Sequence, residues 1–167
     1  MRITLHTVGK TDIKWVSEGL EVYASRLRHY ISFEIKEIPE LKNVSALSRD
    51  QIKTAEGKLI LKNLKDSDEL VLLDERGKQL RSVEFASLLE RRMSTDSRDI
   101  VFAIGGAYGF SPEVYQRANS KISLSQMTFS HQMVRTIFAE QLYRAFTIIR
   151  GESYHHERNA KPSCPEY

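Results

Sequence analysis

At 167 residues, with 41% hydrophobic and 28% charged residues, the chain has the length and composition of one globular domain. No apolar run approaches the ~20 residues that span a bilayer, and the N-terminus lacks the apolar core of a signal peptide. The only cysteine, Cys164, cannot form a disulfide within one chain. We therefore expect a cytoplasmic protein with no membrane partner. The formal net charge of +3 permits an anionic partner such as RNA without requiring one.

Strands and helices alternate along the first hundred residues. The predicted elements are a strand over 2–8, a helix from Asp12 to about Tyr30, a strand over 33–38, a helix from Ser48 to about Asn63, a strand over 70–73 and a helix after Ser82. Ser48 and Gln51 have the spacing of a capping box, which fixes the start of the second helix. The third helix is predicted to bury a stripe of Phe85, Leu88, Leu89 and Met93.

The last third of the chain continues the same alternation. The predicted elements are an apolar strand over 100–104, a helix opened by Ser111 and Pro112, an extended stretch over 122–129 and an amphipathic helix from Gln132 to Arg150. The whole pattern predicts an α/β fold with a mostly parallel sheet and helices on both faces. We expect one domain over 1–157 and a disordered tail over 158–167.

Gly105 and Gly106 directly follow the apolar strand, at the edge of a parallel sheet where α/β proteins bind ligands. Glycines there let the backbone approach a ligand and leave N–H groups free to bind it, but a tight turn without a ligand is the alternative. The spacing G-G-x-x-G is not the dinucleotide fingerprint, and no acidic residue ends the next strand to hold a ribose hydroxyl. The turn indicates a ligand cleft without identifying the ligand.

The segment that leads into the last helix is apolar but interrupted by polar side chains. It consists of Leu124, Ser125, Gln126, Met127, Thr128 and Phe129, and no regular period fits it beyond Leu124. An irregular buried loop must satisfy its backbone groups, and a bound ligand is one way to do so. A plain strand end with solvated side chains explains the segment equally well.

The long C-terminal helix combines a wide apolar face with a narrow polar stripe. A stripe this narrow suggests burial on more than one side, either in a homodimer interface or as the central helix of a monomer. Glu140 and Arg144 in the stripe are four residues apart and are spaced to pair with each other.

Basic and aromatic polar residues accompany this helix and its end. Arg135, Arg144 and Arg150 are either solvated surface charges or phosphate contacts. The segment 154–156, Tyr-His-His, is able to stack on a base or move a proton, or it belongs to a disordered tail. Because adjacent histidines point in divergent directions, we predict no metal site.

Several segments taken together resemble the SPOUT-class methyltransferases. They are AIGGAYGFS (103–111), LSQMTFSHQMVR (124–135), EQLYRAF (140–146) and GESYH (151–155). The resemblance spans nearly the whole chain and points to the group that methylates N3 of a pseudouridine in 23S ribosomal RNA. It implies a C-terminal trefoil knot, which general connection rules would have rejected, and a homodimer whose interface is the last helix. One departure is Ser130, where relatives commonly have proline.

The resemblance also implies a cofactor site. S-adenosylmethionine is expected against Leu73, Gly105, Gly106 and the segment 124–129, whose backbone groups would read the adenine edge. The methyl group of this sulfonium is already activated, so no metal is expected.

The acceptor side of the site is assigned in the same way. His155 is the candidate base or base positioner, because histidine titrates near neutral pH. Tyr154 is expected to stack on or hydrogen-bond the target base, and Arg144 to orient the C-terminal segment or meet a phosphate. We assign contacts with the ribosomal RNA to His131, Arg135 and Arg150.

Two other functions remain open from the sequence. A nucleotide-binding α/β oxidoreductase would use the Gly105–Gly106 turn, although the missing acidic residue counts against it. A non-catalytic ribosome-binding module of the same fold would bind RNA without S-adenosylmethionine. The small net charge favours an assembled ribosome over free RNA as the partner.

Overall fold

A parallel sheet forms the centre of the computed structural model, which describes residues 1–96 and 98–156. Its strands are β1 (Arg2–Val8), β2 (Ser32–Ile38), β3 (Glu69–Gln79), β4 (Ile100–Ile104) and β5 (Ser120–Ser123), in the order β2-β1-β4-β3-β5. The helices are α1 (Lys14–Leu27), α2 (Arg49–Lys62), α3 (Ser82–Thr95), α4 (Pro112–Arg117) and α5 (Met133–Ile149). Every strand pairing is parallel, which confirms the predicted α/β fold. The predicted disordered tail, 158–167, lies outside the described residues.

The two faces of the sheet carry separate cores. On β4, Ile100, Phe102 and Ile104 point to a core shared with α1, α3 and α5. The alternate residues Val101 and Ala103 point to a core shared with α2 and α4. Helices therefore cover both faces, as the period-two burial of the strands requires.

Helix α5 lies between α1 and α3 on one face of the sheet. Phe138 stacks within this core against Phe102, with ring centroids 4.8 Å apart. Gly19 lets α1 approach α5 closely, since a Cβ at this position would lie 3.1 Å from the Thr136 methyl group. The Thr136 hydroxyl donates to the Val16 carbonyl at 3.0 Å. Packing within one chain thus accounts for the wide apolar face of α5, as the central-helix interpretation predicted.

The other face is assembled around a close contact between α2 and α4. The Ser48–Gln51 capping box at the start of α2 is formed as predicted. Ser111 caps α4, with Pro112 at its first position. A Cβ on Gly57 would lie 2.3 Å from the Ser111 hydroxyl, which explains why a glycine stands inside α2 despite its cost of roughly 1 kcal/mol.

The structure corrects three element predictions. Strand β3 does not stop at 73: residues 74–77 bulge out and the strand pairs with β5 again from Lys78. Strand β5 ends at Ser123, so the extended stretch to 129 was wrong. Met93 is 37% exposed because it lies in the last turn of α3, where the helix leaves the sheet.

Among the described residues, no helix has the length and apolar character needed to cross a membrane.

Candidate active site

A cleft of about 770 Å³ opens at the carboxyl ends of β3, β4 and β5. Its volume lies in the range of sites that hold a cofactor or another small molecule. Most of the predicted cofactor residues line it, namely Leu73, Gly105, Gly106, Leu124, Ser125, Met127, Thr128 and Phe129. His131 lines it as well, whereas Gln126 is exposed and does not. The structure therefore brings eight of the nine predicted cofactor residues together in one cleft.

The Gly105–Gly106 turn forms the floor of this cleft. Its geometry is a tight turn, in which the Gly109 N–H donates to the Gly106 carbonyl at 3.1 Å and Gly109 has a φ of +80°. A Cβ on Gly106 would lie 2.5 Å from the Glu56 carboxylate, and one on Gly105 would lie 3.3 Å from the Gly109 backbone. Side chains are therefore disfavoured here, and the bare backbone faces the cleft.

The segment 124–131 forms an exposed wall of the cleft, so the prediction of a buried loop was wrong. Met127 is 79% exposed, because β5 is an edge strand and nothing in the described chain covers the residues after it. Short hydrogen bonds hold the wall: the Met127 N–H donates to the Ser125 hydroxyl at 2.9 Å, and the Thr128 hydroxyl to the Glu75 carboxylate at 3.2 Å.

Sequence reasoning missed a tyrosine–aspartate pair beside Leu73. The Tyr115 hydroxyl donates to the Asp74 carboxylate, and both side chains line the cleft. Burial, and then this hydrogen bond, raise the pKa of Tyr115 to about 12. The pair ties the end of β3 to α4. Asp74 could have been found, because it directly follows Leu73 at the same edge of the sheet.

Arg135 is fully buried, which corrects its assignment as an RNA contact. Its guanidinium donates to the carbonyls of Val8 and Gly9 at 2.8 and 3.0 Å and to the Thr11 hydroxyl at 2.8 Å. Its Nε donates to the His131 carbonyl at 3.0 Å. Burial lowers the pKa of Arg135, and nearby carboxylates oppose that change. Because these donors are used inside the chain, Arg135 holds the start of α5, and His131 just before it, against the end of β1.

The three predicted catalytic residues, Arg144, Tyr154 and His155, form a separate group together with Glu140, which we call the C-terminal cluster. Arg144 donates to the Glu140 carboxylate at 2.6 Å, which confirms the predicted pairing. The same carboxylate accepts from the Tyr154 hydroxyl at 3.0 Å, and the Arg144 guanidinium lies 4.8 Å from the Tyr154 ring centroid. Burial, followed by the bond to Glu140, raises the pKa of Tyr154. Glu140 contacts both Arg144 and Tyr154. Its spacing from Arg144 predicted the first contact but not the second.

One contact in the C-terminal cluster defines the tautomer of His155. An Arg144 guanidinium nitrogen lies 3.2 Å from His155 Nδ1. Because a guanidinium can only donate, Nδ1 accepts and the neutral ring carries its proton on Nε2. In this arrangement His155 offers a donor rather than a base at its outer nitrogen.

The cleft and the C-terminal cluster lie at opposite ends of α5. The cleft ends at Val134, and Arg144 follows ten residues later on the helix, about 15 Å away at 1.5 Å per residue. None of Arg144, Tyr154 and His155 lines the cleft. Arg150 is exposed beyond the cluster, with its guanidinium 5.8 Å from the Tyr30 ring centroid.

Comparison with known proteins identifies the family. A family model described as "Predicted SPOUT methyltransferase" matches residues 1–155. The chain belongs to the SPOUT methyltransferase family. The match covers the cleft and the C-terminal cluster alike.

Curated relatives share about half of their residues with this chain. A protein of Christiangramia forsetii is 54% identical over 93% of this chain and 99% of its own length. One of Phocaeicola vulgatus is 55% identical over 94% of this chain and 100% of its own. Both are called "Ribosomal RNA large subunit methyltransferase H". A solved structure, "a probable methylase family protein from Haemophilus influenzae Rd KW20", aligns over 90% of this chain and 66% of that one at 13% identity with a TM-score of 0.47, and carries no argument here.

Proposed function

We propose that this chain transfers a methyl group from S-adenosylmethionine to N3 of a pseudouridine in 23S ribosomal RNA, on assembled ribosomes. The observation that carries the proposal is the cleft at the carboxyl ends of β3, β4 and β5 in a chain of the SPOUT methyltransferase family. The names of the relatives support large-subunit ribosomal RNA as the substrate. This substrate would place the protein in the cytoplasm.

The residues of the cleft fit S-adenosylmethionine. The bare backbone of Gly105 and Gly106 allows close approach of the cofactor. Within the 124–131 wall, residues 124–129 offer backbone groups to its adenine edge. Leu73 supplies an apolar surface between them. When bound, this cofactor supplies an activated methyl group, and we expect no metal to be required.

The chain's contribution to catalysis is to hold the acceptor and to meet its charge. N3 must pass its proton to water and approach the methyl group in line, and fixing that geometry lowers the barrier. We propose that His155 donates from Nε2 to an acceptor oxygen beside N3, where negative charge develops as the proton leaves. Arg144 positions the ring through Nδ1, and Tyr154 stacks on or hydrogen-bonds the base.

A homodimer would bring these two regions together. Trp15 and Val22, seven residues apart, form an apolar stripe on α1 that is 46–60% exposed, and Ile13 before the helix and Met133 at the start of α5 are 40% and 42% exposed. In a two-fold dimer the same surfaces meet, so antiparallel α5 helices would place the C-terminal cluster of one copy beside the cleft of the other. We propose this arrangement because none of the predicted catalytic residues lines the cleft of its own chain.

We also propose that the C-terminal part is threaded into a trefoil knot. Strand β5 lies at the edge of the sheet beside β3, yet α5, which follows it, packs back between α1 and α3. This return path supports the knot. His131, which is exposed in the cleft, and Arg150 remain our proposed RNA contacts.

Two measurements test the function. Calorimetric titration with S-adenosylmethionine, and with NAD as control, should give saturable binding of the first only. Incubation with radiolabelled cofactor and assembled ribosomes from cells lacking this gene should then label 23S RNA at one pseudouridine. Cofactor binding without methyl transfer to ribosomes would contradict the proposed substrate, and NAD binding alone would contradict the family's chemistry for this chain.

A further inference from the structure

One wall of the cleft is not used by the proposed cofactor residues. It consists of the first turn of α2 and the neighbouring Tyr108. The Arg49 guanidinium lies 5.4 Å from the Tyr108 ring centroid, and both side chains are exposed, Tyr108 by 45%. We call this pair the Arg49–Tyr108 surface. It faces the 124–131 wall across the cleft floor.

Two arginines of the cleft have no ion-pair partner among the described residues. Within the described residues, no carboxylate lies within ion-pair distance of Arg49 or of Arg76, which lines the same cleft. Three carboxylates also line the cleft: Asp50 pairs with Lys53 at 3.3 Å, whereas Asp74 and Glu75 accept hydrogen bonds from the uncharged hydroxyls of Tyr115 and Thr128. An incoming anion could therefore contact Arg49 or Arg76 without breaking an existing ion pair.

We propose that the Arg49–Tyr108 surface is where a single-stranded stretch of the RNA, next to the modified base, docks. Unpaired bases stack on tyrosine rings and arginine planes, and arginine also binds phosphates. The pair offers both at the mouth of the cleft, opposite the wall assigned to the cofactor. This inference rests on the proposed function and adds the part of the chain that holds the RNA.

The test separates RNA affinity from cofactor affinity with matched variants. We expect Y108A and R49Q each to raise the KM for assembled ribosomes about tenfold, since one stacked base or charged contact is typically worth that much. Y108F keeps the ring and should retain most of the affinity that Y108A loses. R91Q removes an exposed arginine of α3, on the opposite face of the sheet, and should also leave the KM unchanged. R49Q should reduce the slope of affinity against salt by about one, and R91Q should not.

Cofactor titration and thermal unfolding of the same variants complete the design. For folded Y108A and R49Q, the dissociation constant for S-adenosylmethionine should stay within about twofold of that of the unchanged chain. A surface that contacts only the RNA does not contribute to cofactor binding. A parallel loss of cofactor binding would assign the surface to the cofactor and overturn the inference. An unchanged KM in both variants would overturn it as well. If the unchanged chain methylates no ribosomal RNA, it is the proposed function that fails.

Discussion

The cleft and the C-terminal cluster differ in how they are built. The cleft is open and formed by bare backbone and exposed loop residues, with Met127 79% exposed. The cluster is closed on itself, and its carboxylate, guanidinium, phenol and imidazole are already joined to one another. The first is suited to accept a ligand and the second to present one fixed donor. Because α5 separates them, we propose that two copies of the chain together make one site.

The largest effect is expected from separating the copies. The double substitution W15E and V22E puts charges on the exposed α1 stripe and should give monomers whose turnover falls to background. Light scattering after size-exclusion chromatography measures the change. M93E, at an exposed apolar position of α3, is the control that should remain a dimer. An active monomeric W15E/V22E variant would show that one chain completes its own site.

Removing His155, the proposed hydrogen-bond donor of the C-terminal cluster, should lower turnover less than separating the copies does. H155A should lower kcat about 100-fold, the usual contribution of one positioned proton donor, with cofactor affinity within about twofold. H156A changes the adjacent exposed histidine and should leave kcat unchanged. Quenched single-turnover assays with saturating ribosomes measure the rate of methyl transfer in each variant. Unchanged chemistry in a folded H155A variant would remove this residue from the mechanism.

Arg135 tests whether a residue between the two regions is structural or binds RNA. R135M leaves the Val8 and Gly9 carbonyls without their donor and should lower the free energy of unfolding by about 3 kcal/mol. Urea unfolding measures it, with R91M as an exposed arginine control. A stable R135M variant with weakened ribosome binding would restore the assignment made from the sequence.

His6 should give a pH effect on stability that is independent of both regions. Burial, and then Lys36, lower the pKa of His6 from 6.5 to about 4, while Asp68 and Glu34 oppose this, and its Nδ1 has no partner among the described residues. The unfolded chain therefore binds this proton more readily, and the free energy of unfolding should fall by about 3 kcal/mol between pH 6.5 and 4.

Unfolding at a series of pH values measures this effect. H6Q should flatten that part of the profile, whereas H29Q, at an exposed histidine, should not. An H6Q profile as steep as that of the unchanged chain would assign the acid sensitivity to other groups.

Local patterns predicted most of the fold. The Ser48–Gln51 box, the Ser111–Pro112 start and the Gly105–Gly106 turn each depend on neighbours in sequence, and each is present. The second half of β3 was missed because its residues are polar, and pairing across the sheet, not apolar period, makes it a strand.

Contacts between distant residues were the part that local patterns could not supply. Arg135 looks like a surface cation on the helix, but its partners are Val8, Gly9 and Thr11 on another element. Arg49 lies far from Tyr108 in sequence, and only the fold places them in one wall. The separation of the C-terminal cluster from the cleft, by contrast, follows from the length of α5, which the periodicity already predicted as 132–150.

Mixing two inactive variants tests the central claim most directly. G105V should close the floor of the cleft, and H155A should remove the donor of the cluster. In a mixed dimer the intact cleft of one chain meets the intact cluster of the other, so statistical mixing should restore about a quarter of the unchanged turnover. Activity that stays at the level of the separate variants, although mixed dimers form, would show that cleft and cluster act within one chain and would contradict the account.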